Sequence, residues 1–203
     1  MKFAICQELF EGWDWDRQCR FISETGYTGI ELAPFTIAQR ITDVSNQQLD
    51  DLRGTAERHG LQIMGLHWLL AKTTGLHLTK SDRAVRRATA EYLSALARAC
   101  GRLGGTLMVF GSPNQRSLDE QTSREAGMER AAEVFREAVP AFREANVTLC
   151  LEPLTTKETN FLNSCDEAQT LIDLVGDPHL RLHQDVKAML GEAWLAMGAN
   201  RLR

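Results

Sequence analysis

Gln7-Glu8-Leu9-Phe10-Glu11-Gly12-Trp13-Asp14-Trp15 is the stretch that decides between two folds. It follows the run Phe3-Ala4-Ile5-Cys6, which reads as a first β-strand, and precedes a segment of helical spacing near residues 14 to 25. It is therefore the first strand-to-helix turn. A doubly wound nucleotide-binding sheet would carry G-x-G-x-x-G or a Walker pattern at this point, because glycines let the backbone approach a phosphate. Neither pattern is present. A closed barrel asks for no such motif, since its chemistry sits on side chains at the C-terminal strand ends.

Outward from that turn the pattern repeats. Apolar runs rich in strand formers begin near Phe3, Thr28, Leu61, Thr106, Val147 and Leu180. Helical segments are expected near 14 to 25, 45 to 59, 81 to 103, 123 to 145 and 165 to 175. Ser45 with Gln48 and Ser164 with Glu167 have capping-box spacing, while Gly26, Gly60 and Gly176 stand where left-handed caps end helices. Val85, Tyr92, Leu93, Leu96, Cys100 and Leu103 form one apolar stripe on the third helix. Strand and helix alternating without hairpin signals define an α/β fold with a parallel sheet and right-handed crossovers. The stretches near 72 to 80 and 111 to 122 read as βα loops, and 1–203 reads as a single domain. The six strand starts recur about every 35 residues, so eight units need roughly 280 and this chain holds about six of them.

Composition narrows the function. Hydrophobic residues make up 43% and charged residues 25% of 203 residues, values of an ordinary globular chain, and no window nears the ~18 apolar residues of a membrane span. Twenty-three basic and 27 acidic residues give a net charge of −4 without a basic run, which argues against nucleic acid and for a small neutral or polyol-like ligand. Cys6, Cys19, Cys100, Cys150 and Cys165 are odd in number, widely spaced and never C-x-x-C, which points to reduced thiols in a cytoplasm. Met1 to Cys6 reads as a strand rather than a signal peptide.

Four predicted strands finish in a carboxylate or an imidazole: Gly29-Ile30-Glu31, Gly65-Leu66-His67, Leu149-Cys150-Leu151-Glu152 and Leu182-His183-Gln184-Asp185. C-terminal strand ends converge on one face of a barrel, so side chains far apart in sequence meet there. Glu152 ends a very apolar run, where an unpaired charge needs a cation, an arginine or a raised pKa. Asp185 ends the neighbouring strand, and two acidic oxygen donors suit a hard divalent ion such as Mg²⁺ or Mn²⁺. The plainer alternative is that these carboxylates cap turns or pair with Lys157 or Lys187. His67 and Glu31 stand between a site role and a core or capping role. Phe10, Trp13, Trp15 and Trp68 are either an apolar wall over a sugar or simply core.

The segments Leu149-Cys150-Leu151-Glu152-Pro153-Leu154 and His183-Gln184-Asp185-Val186, with Gly29-Ile30-Glu31-Leu32 and Gly65-Leu66-His67-Trp68, resemble the xylose-isomerase-like TIM-barrel superfamily. The likeness is to its sugar isomerases and epimerases, particularly the ketose 3-epimerase and hydroxypyruvate-isomerase branches. The resemblance runs to about Leu190. It implies Glu152 as a metal ligand and catalytic acid/base residue, Asp185 as a second metal ligand, and Glu158 as a substrate-binding glutamate. It also implies a divalent cofactor (Mn²⁺, Mg²⁺ or Co²⁺) and proton transfer beside a carbonyl through an enediolate. His67, Asn114 and Glu31 are then expected near the substrate. The family's substrate-binding histidine, three residues past the aspartate, is Ala188 here. The further histidine ligand and final glutamate that the family takes from its seventh and eighth strands are not expected in this chain. Residues 191–203 lack a strand pattern and read as an atypical tail. Two other functions stay open: an inosose-type dehydratase or lyase of the same superfamily, and a truncated, non-catalytic remnant that binds a small molecule or self-assembles. Exposed edges at the first and sixth strands predict a homo-oligomer.

Overall fold

The computed structural model describes residues 2–190, and the expectation for the 191–203 tail lies outside the described residues. The strands are β1 (Ala4–Cys6), β2 (Gly29–Leu32), β3 (Gln62–Leu66), β4 (Leu107–Phe110), β5 (Thr148–Leu151) and β6 (Leu180–Leu182). Between them lie α1 (Trp15–Glu24), α2 (Pro34–Ile37), α3 (Asn46–Arg58), α4 (Arg83–Arg102), α5 (Arg124–Glu144) and α6 (Cys165–Val175), with α7 (Val186–Met189) after β6. The short helix α2, the single turn α7 and the 3₁₀ turns Gln7–Phe10 and Ile41–Asp43 are too brief to leave a periodic signal in sequence.

Local chemistry sets the helix ends. Ser45 and Gln48 form the reciprocal capping box that starts α3. Ser164 accepts the Glu167 N–H to start α6, but the Glu167 carboxylate turns to the Asn163 N–H. Gly26, Gly60 and Gly176 all have positive φ at the ends of α1, α3 and α6, as expected.

The strands form one six-stranded sheet in the order β1-β2-β3-β4-β5-β6, every neighbouring pair parallel. A doubly wound sheet reverses direction at a switch point, whereas here each strand pairs only with its neighbours in sequence. The fold is a partial (β/α) barrel of six units, and β1 and β6 have no further strand beside them among the described residues. No described helix is long and apolar enough to cross a membrane.

Period-two alternation gives the sheet its two faces. Ile30, Leu32, Met108, Phe110, Leu149, Leu151 and Leu180 are buried against the helices, with the Phe110 ring edge-on to Phe135 of α5 at 5.7 Å. The alternate positions Glu31, Val109 and Cys150 are only half-buried and belong to the other face. A register shift between Ile30 and Glu31 along the β2–β3 pair brings Gly65 beside Glu31 and Leu66 beside Leu32. That shift puts His67, the next inward residue, in phase with Glu31.

Candidate functional site

Of the predicted strand-end residues, Glu31 lies within β2 and Asp185 stands three residues past β6 as the cap of α7, while His67, Glu152 and His183 stand one step beyond their strands, held by continuations of the backbone ladder. His67 N–H donates to Leu32 at 3.0 Å, Glu152 N–H to Phe110 at 3.1 Å, and His183 N–H to Leu151 at 2.9 Å. Their positions are thus fixed by the sheet rather than by loops. They face a cleft of about 260 Å³ at the C-terminal ends of the strands, room for a monosaccharide-sized ligand. Glu31, His67, Glu152, Glu158 and Asp185 all line it. Asn114 does not; it is exposed on the loop after β4, and its neighbour Pro113 lines the cleft.

Four ionisable cleft residues had no site role from sequence: Cys6, Glu8, His183 and Lys187. Cys6 ends β1, so the strand-end rule that selected Glu31 and His67 would have selected it too. The aromatic group divides between its two readings, wall and packing. Phe10 and Trp13 pack against each other and Phe21 with ring centroids 5.4 to 5.8 Å apart. Trp15 donates its indole N–H to Leu52 at 2.9 Å, tying α1 to α3. Trp68 alone of the four lines the cleft, 46% exposed and with a left-handed φ of 52°. Such a backbone is uncommon for a bulky residue and is found where a site demands it.

Electrostatics separate the acids. Burial raises the Glu152 pKa above its ordinary value, and the charges of Asp185 and Glu158 push it further, while His183 and Arg116 pull it down. No hydrogen bond reaches the Glu152 carboxylate among the described residues. Gly111 makes room for it: a Cβ there would overlap Glu152 Oε2 and stand 3.1 Å from its Cδ. Asp185 caps α7 by accepting the Lys187 N–H at 3.0 Å. Glu158 is the satisfied member. Lys187 Nζ donates to its Oε1 at 2.7 Å and the Thr155 hydroxyl to its Oε2 at 2.8 Å, and the pKa falls for those reasons in that order. The alternative partner Lys187 is therefore found, but on Glu158 rather than on Glu152 or Asp185. Two carboxylates facing one cleft, the Asp185 charge making the ionised form of Glu152 costlier, with the His183 ring beside them, fit a hard divalent ion.

Beneath the site lies a feature with no sequence signal. Arg116, on the loop after β4, is fully buried. Its guanidinium donates to the Glu152 carbonyl at 2.7 Å, the Phe110 carbonyl at 2.7 Å and the Ser112 carbonyl at 3.3 Å. Burial lowers its pKa to about 10, with the Glu152 and Glu158 charges opposing, so it stays cationic at neutral pH. It clamps the ends of β4 and β5 together under the Glu152 side chain.

A singly wound parallel sheet with acidic and imidazole side chains gathered at its C-terminal strand ends defines the (β/α)-barrel class. Residues 19–200 match the xylose isomerase-like TIM barrel family, and the chain belongs to it. Among its relatives is a D-psicose 3-epimerase from Enterocloster bolteae, 26% identical over 177 residues, which cover 85% of this chain and 56% of that protein. The D-psicose 3-epimerase from Clostridium cellulolyticum H10, crystallised with D-tagatose, superposes with a TM-score of 0.81 at 19% identity, covering 95% of this chain and 66% of its own. A 3-keto-D-glucoside 4-epimerase from E. coli superposes with a TM-score of 0.79 at 15% identity, covering 99% and 75%. At these identities the solved structures speak for the fold. The chain spans less than two thirds of the two psicose epimerases.

Proposed function

We propose that this chain carries the metal-binding half of a sugar epimerase or isomerase site that moves a proton on the carbon beside a ketose carbonyl. The observation that supports it most is the convergence of Glu152, just past β5, and Asp185, at the start of α7, on one cleft, with the Glu152 carboxylate half-buried and without a hydrogen bond among the described residues. Glu152 is the proton acceptor of this reading. A carboxylate whose pKa is raised by burial is a stronger base than one in water, and once protonated it costs little to keep in place. Asp185 and Glu152 are the residues that would hold a divalent ion, with His183 beside them. Such an ion supplies positive charge where substrate oxygens become negative. Glu158 and Lys187, locked together across the cleft mouth, present a charged rim to sugar hydroxyls. His67 and Glu31 face the far end of the same ligand, and Trp68 offers it an apolar face. The psicose epimerase relatives make a ketohexose the first substrate class to try.

The test is a calorimetric Mn²⁺ titration of the chelator-treated 203-residue chain, set against Glu152→Gln/Asp185→Asn. About one ion per chain is expected for wild type and none at this site for the double variant. Proton transfer is then read as deuterium uptake from D₂O at the carbon beside the carbonyl of D-fructose or D-tagatose. If wild type and the double variant bind Mn²⁺ alike, Glu152 and Asp185 are not the ligands and the reading falls.

Gly111→Ala gives an independent check on the seat of Glu152. The new Cβ overlaps only Glu152 carboxylate atoms, the movable end of a side chain. The expected result is Mn²⁺ binding weaker by roughly 10- to 100-fold, with stability within about 1 kcal/mol of wild type. Unaltered affinity in the same titration would show that ligation does not use the carboxylate in that seat.

A further inference from the structure

The other half of the sheet, β1 to β3, ends in a donor set of a different chemical kind. Cys6 Sγ, a Glu31 carboxylate oxygen and a ring nitrogen of His67 lie within 4.8 Å of one another. Each comes from the end of a different, adjacent strand, so the cluster is built on the rigid part of the fold. His67 carries the argument. Its side chain is only 8% exposed, and Nε2 is held by Glu8 Oε2 at 2.7 Å. Nδ1 is buried with no hydrogen-bond partner, its nearest charged neighbour being Glu31 Oε2 at 3.8 Å. A buried ring nitrogen left unpaired costs about 1–3 kcal/mol, so it needs an explanation. An imidazole whose one nitrogen donates to a carboxylate, leaving the other nitrogen's lone pair bare, is how proteins orient a metal-binding histidine. Here the bare nitrogen stands 3.8 Å from a second carboxylate, that of Glu31, and the Cys6 thiol belongs to the same cluster.

We propose that Cys6, Glu31 and His67 form a second metal site, for a borderline-soft transition ion of the Zn²⁺ class, with Glu8 orienting His67 and a fourth coordination position open to the cleft. The donor types select the ion. Sulfur and imidazole nitrogen favour Zn²⁺, Co²⁺ or Cu²⁺ over Mn²⁺ and Mg²⁺, whereas the Glu152–Asp185 pair offers oxygen to hard ions. The ligand atoms need draw in by only about 1 Å to reach the roughly 3.5 Å separations of tetrahedral zinc ligands. All three residues line the cleft, so water or a hydroxyl of a bound ligand takes the fourth position. The two sites would thus be sorted by hardness, one at each end of the same cleft. This assignment concerns the ion alone and does not depend on the epimerase reading.

Co²⁺ is the probe, because only a thiolate ligand gives it an intense ultraviolet charge-transfer band. The chelator-treated full chain should develop that band on Co²⁺ addition, lose it when Zn²⁺ is added, and keep it in the presence of equimolar Mn²⁺. The band should vanish in the near-isosteric Cys6→Ser. It should persist in Cys150→Ser, the neighbouring thiol, and in Glu152→Gln/Asp185→Asn. Persistence in that double variant separates this site from the proposed catalytic one. A second reading needs no variant: Zn²⁺ should protect Cys6 of the wild-type chain from alkylation, as mapped by mass spectrometry. Absence of the band and of protection in wild type overturns the proposal, as does a band that survives Cys6→Ser or is lost with Glu152 and Asp185.

Discussion

Arg116→Met should destabilise the fold by about 3–5 kcal/mol, lowering the melting temperature by roughly 10 °C or more. Methionine fills much of the same volume, so the effect isolates the guanidinium. Three backbone carbonyls lose a donor, and their consequences differ. The Phe110 carbonyl still accepts the Glu152 N–H at 3.1 Å, so it is not orphaned. The carbonyls of Ser112 and Glu152 are left buried beside an apolar side chain, each at about 1–3 kcal/mol. Replacing a buried ion pair by apolar residues is often neutral because both charges leave together. That compensation fails here, since the partners are main-chain groups that no substitution removes. Arg116→Lys should recover part of the loss, because one ammonium has donors but not the planar fork that spans two strand ends. Urea denaturation with an unchanged slope and a lowered midpoint is the measurement. A loss below about 1 kcal/mol would mean that water replaces the guanidinium and the clamp is not structural.

Much of this architecture is legible before folding is considered. Six strands and five longer helices follow from periodicity and punctuation, because burying one face of a strand or a helix imposes a period on the sequence. Glu31, His67, Glu152 and Asp185 were found for a related reason: charged or imidazole side chains ending apolar runs have no cheap place except a cleft. Lys187 reads from sequence as a carboxylate partner, but which carboxylate it reaches depends on how the loop after β5 folds back, and sequence spacing does not encode that. Arg116 illustrates the general limit. Arginine on a loop is usually exposed, and only the packed ends of β4 and β5 make this one the donor for three carbonyls. Phe10 and Trp13 follow the plainer of their two readings. Aromatic residues beside a predicted site invite a role in it, yet these two complete a ring cluster with Phe21 on α1.

Gly65→Ala should be more damaging still, a loss above about 4 kcal/mol, with a far-ultraviolet circular dichroism spectrum of unfolded or aggregated protein. The reason is the chemical nature of what the new methyl would strike. A Cβ on Gly65 would overlap the Leu107 carbonyl oxygen and lie 2.7 Å from its carbon and 3.2 Å from its Cα, all main-chain atoms of the adjacent strand. No rotamer relieves that, so β4 must move away from β3. This seam is short, with only Gly65 beside Leu107 and Leu66 beside Met108, against four such pairs between β4 and β5. It is braced by the Thr106 N–H to the Met64 carbonyl at 3.0 Å, which the same movement would stretch. Parting β3 from β4 also separates Cys6, Glu31 and His67 from Glu152 and Asp185, so the cleft opens along the line between its two donor sets. Gly111→Ala is the matched control: the same added methyl, the same sheet, but an obstacle that is the end of a side chain. One substitution is expected to remove the fold and the other only the ligand seat. A Gly65→Ala chain that melts within about 1 kcal/mol of wild type would show that β3 and β4 do not approach this closely, and the single cleft built across them would fall with that approach.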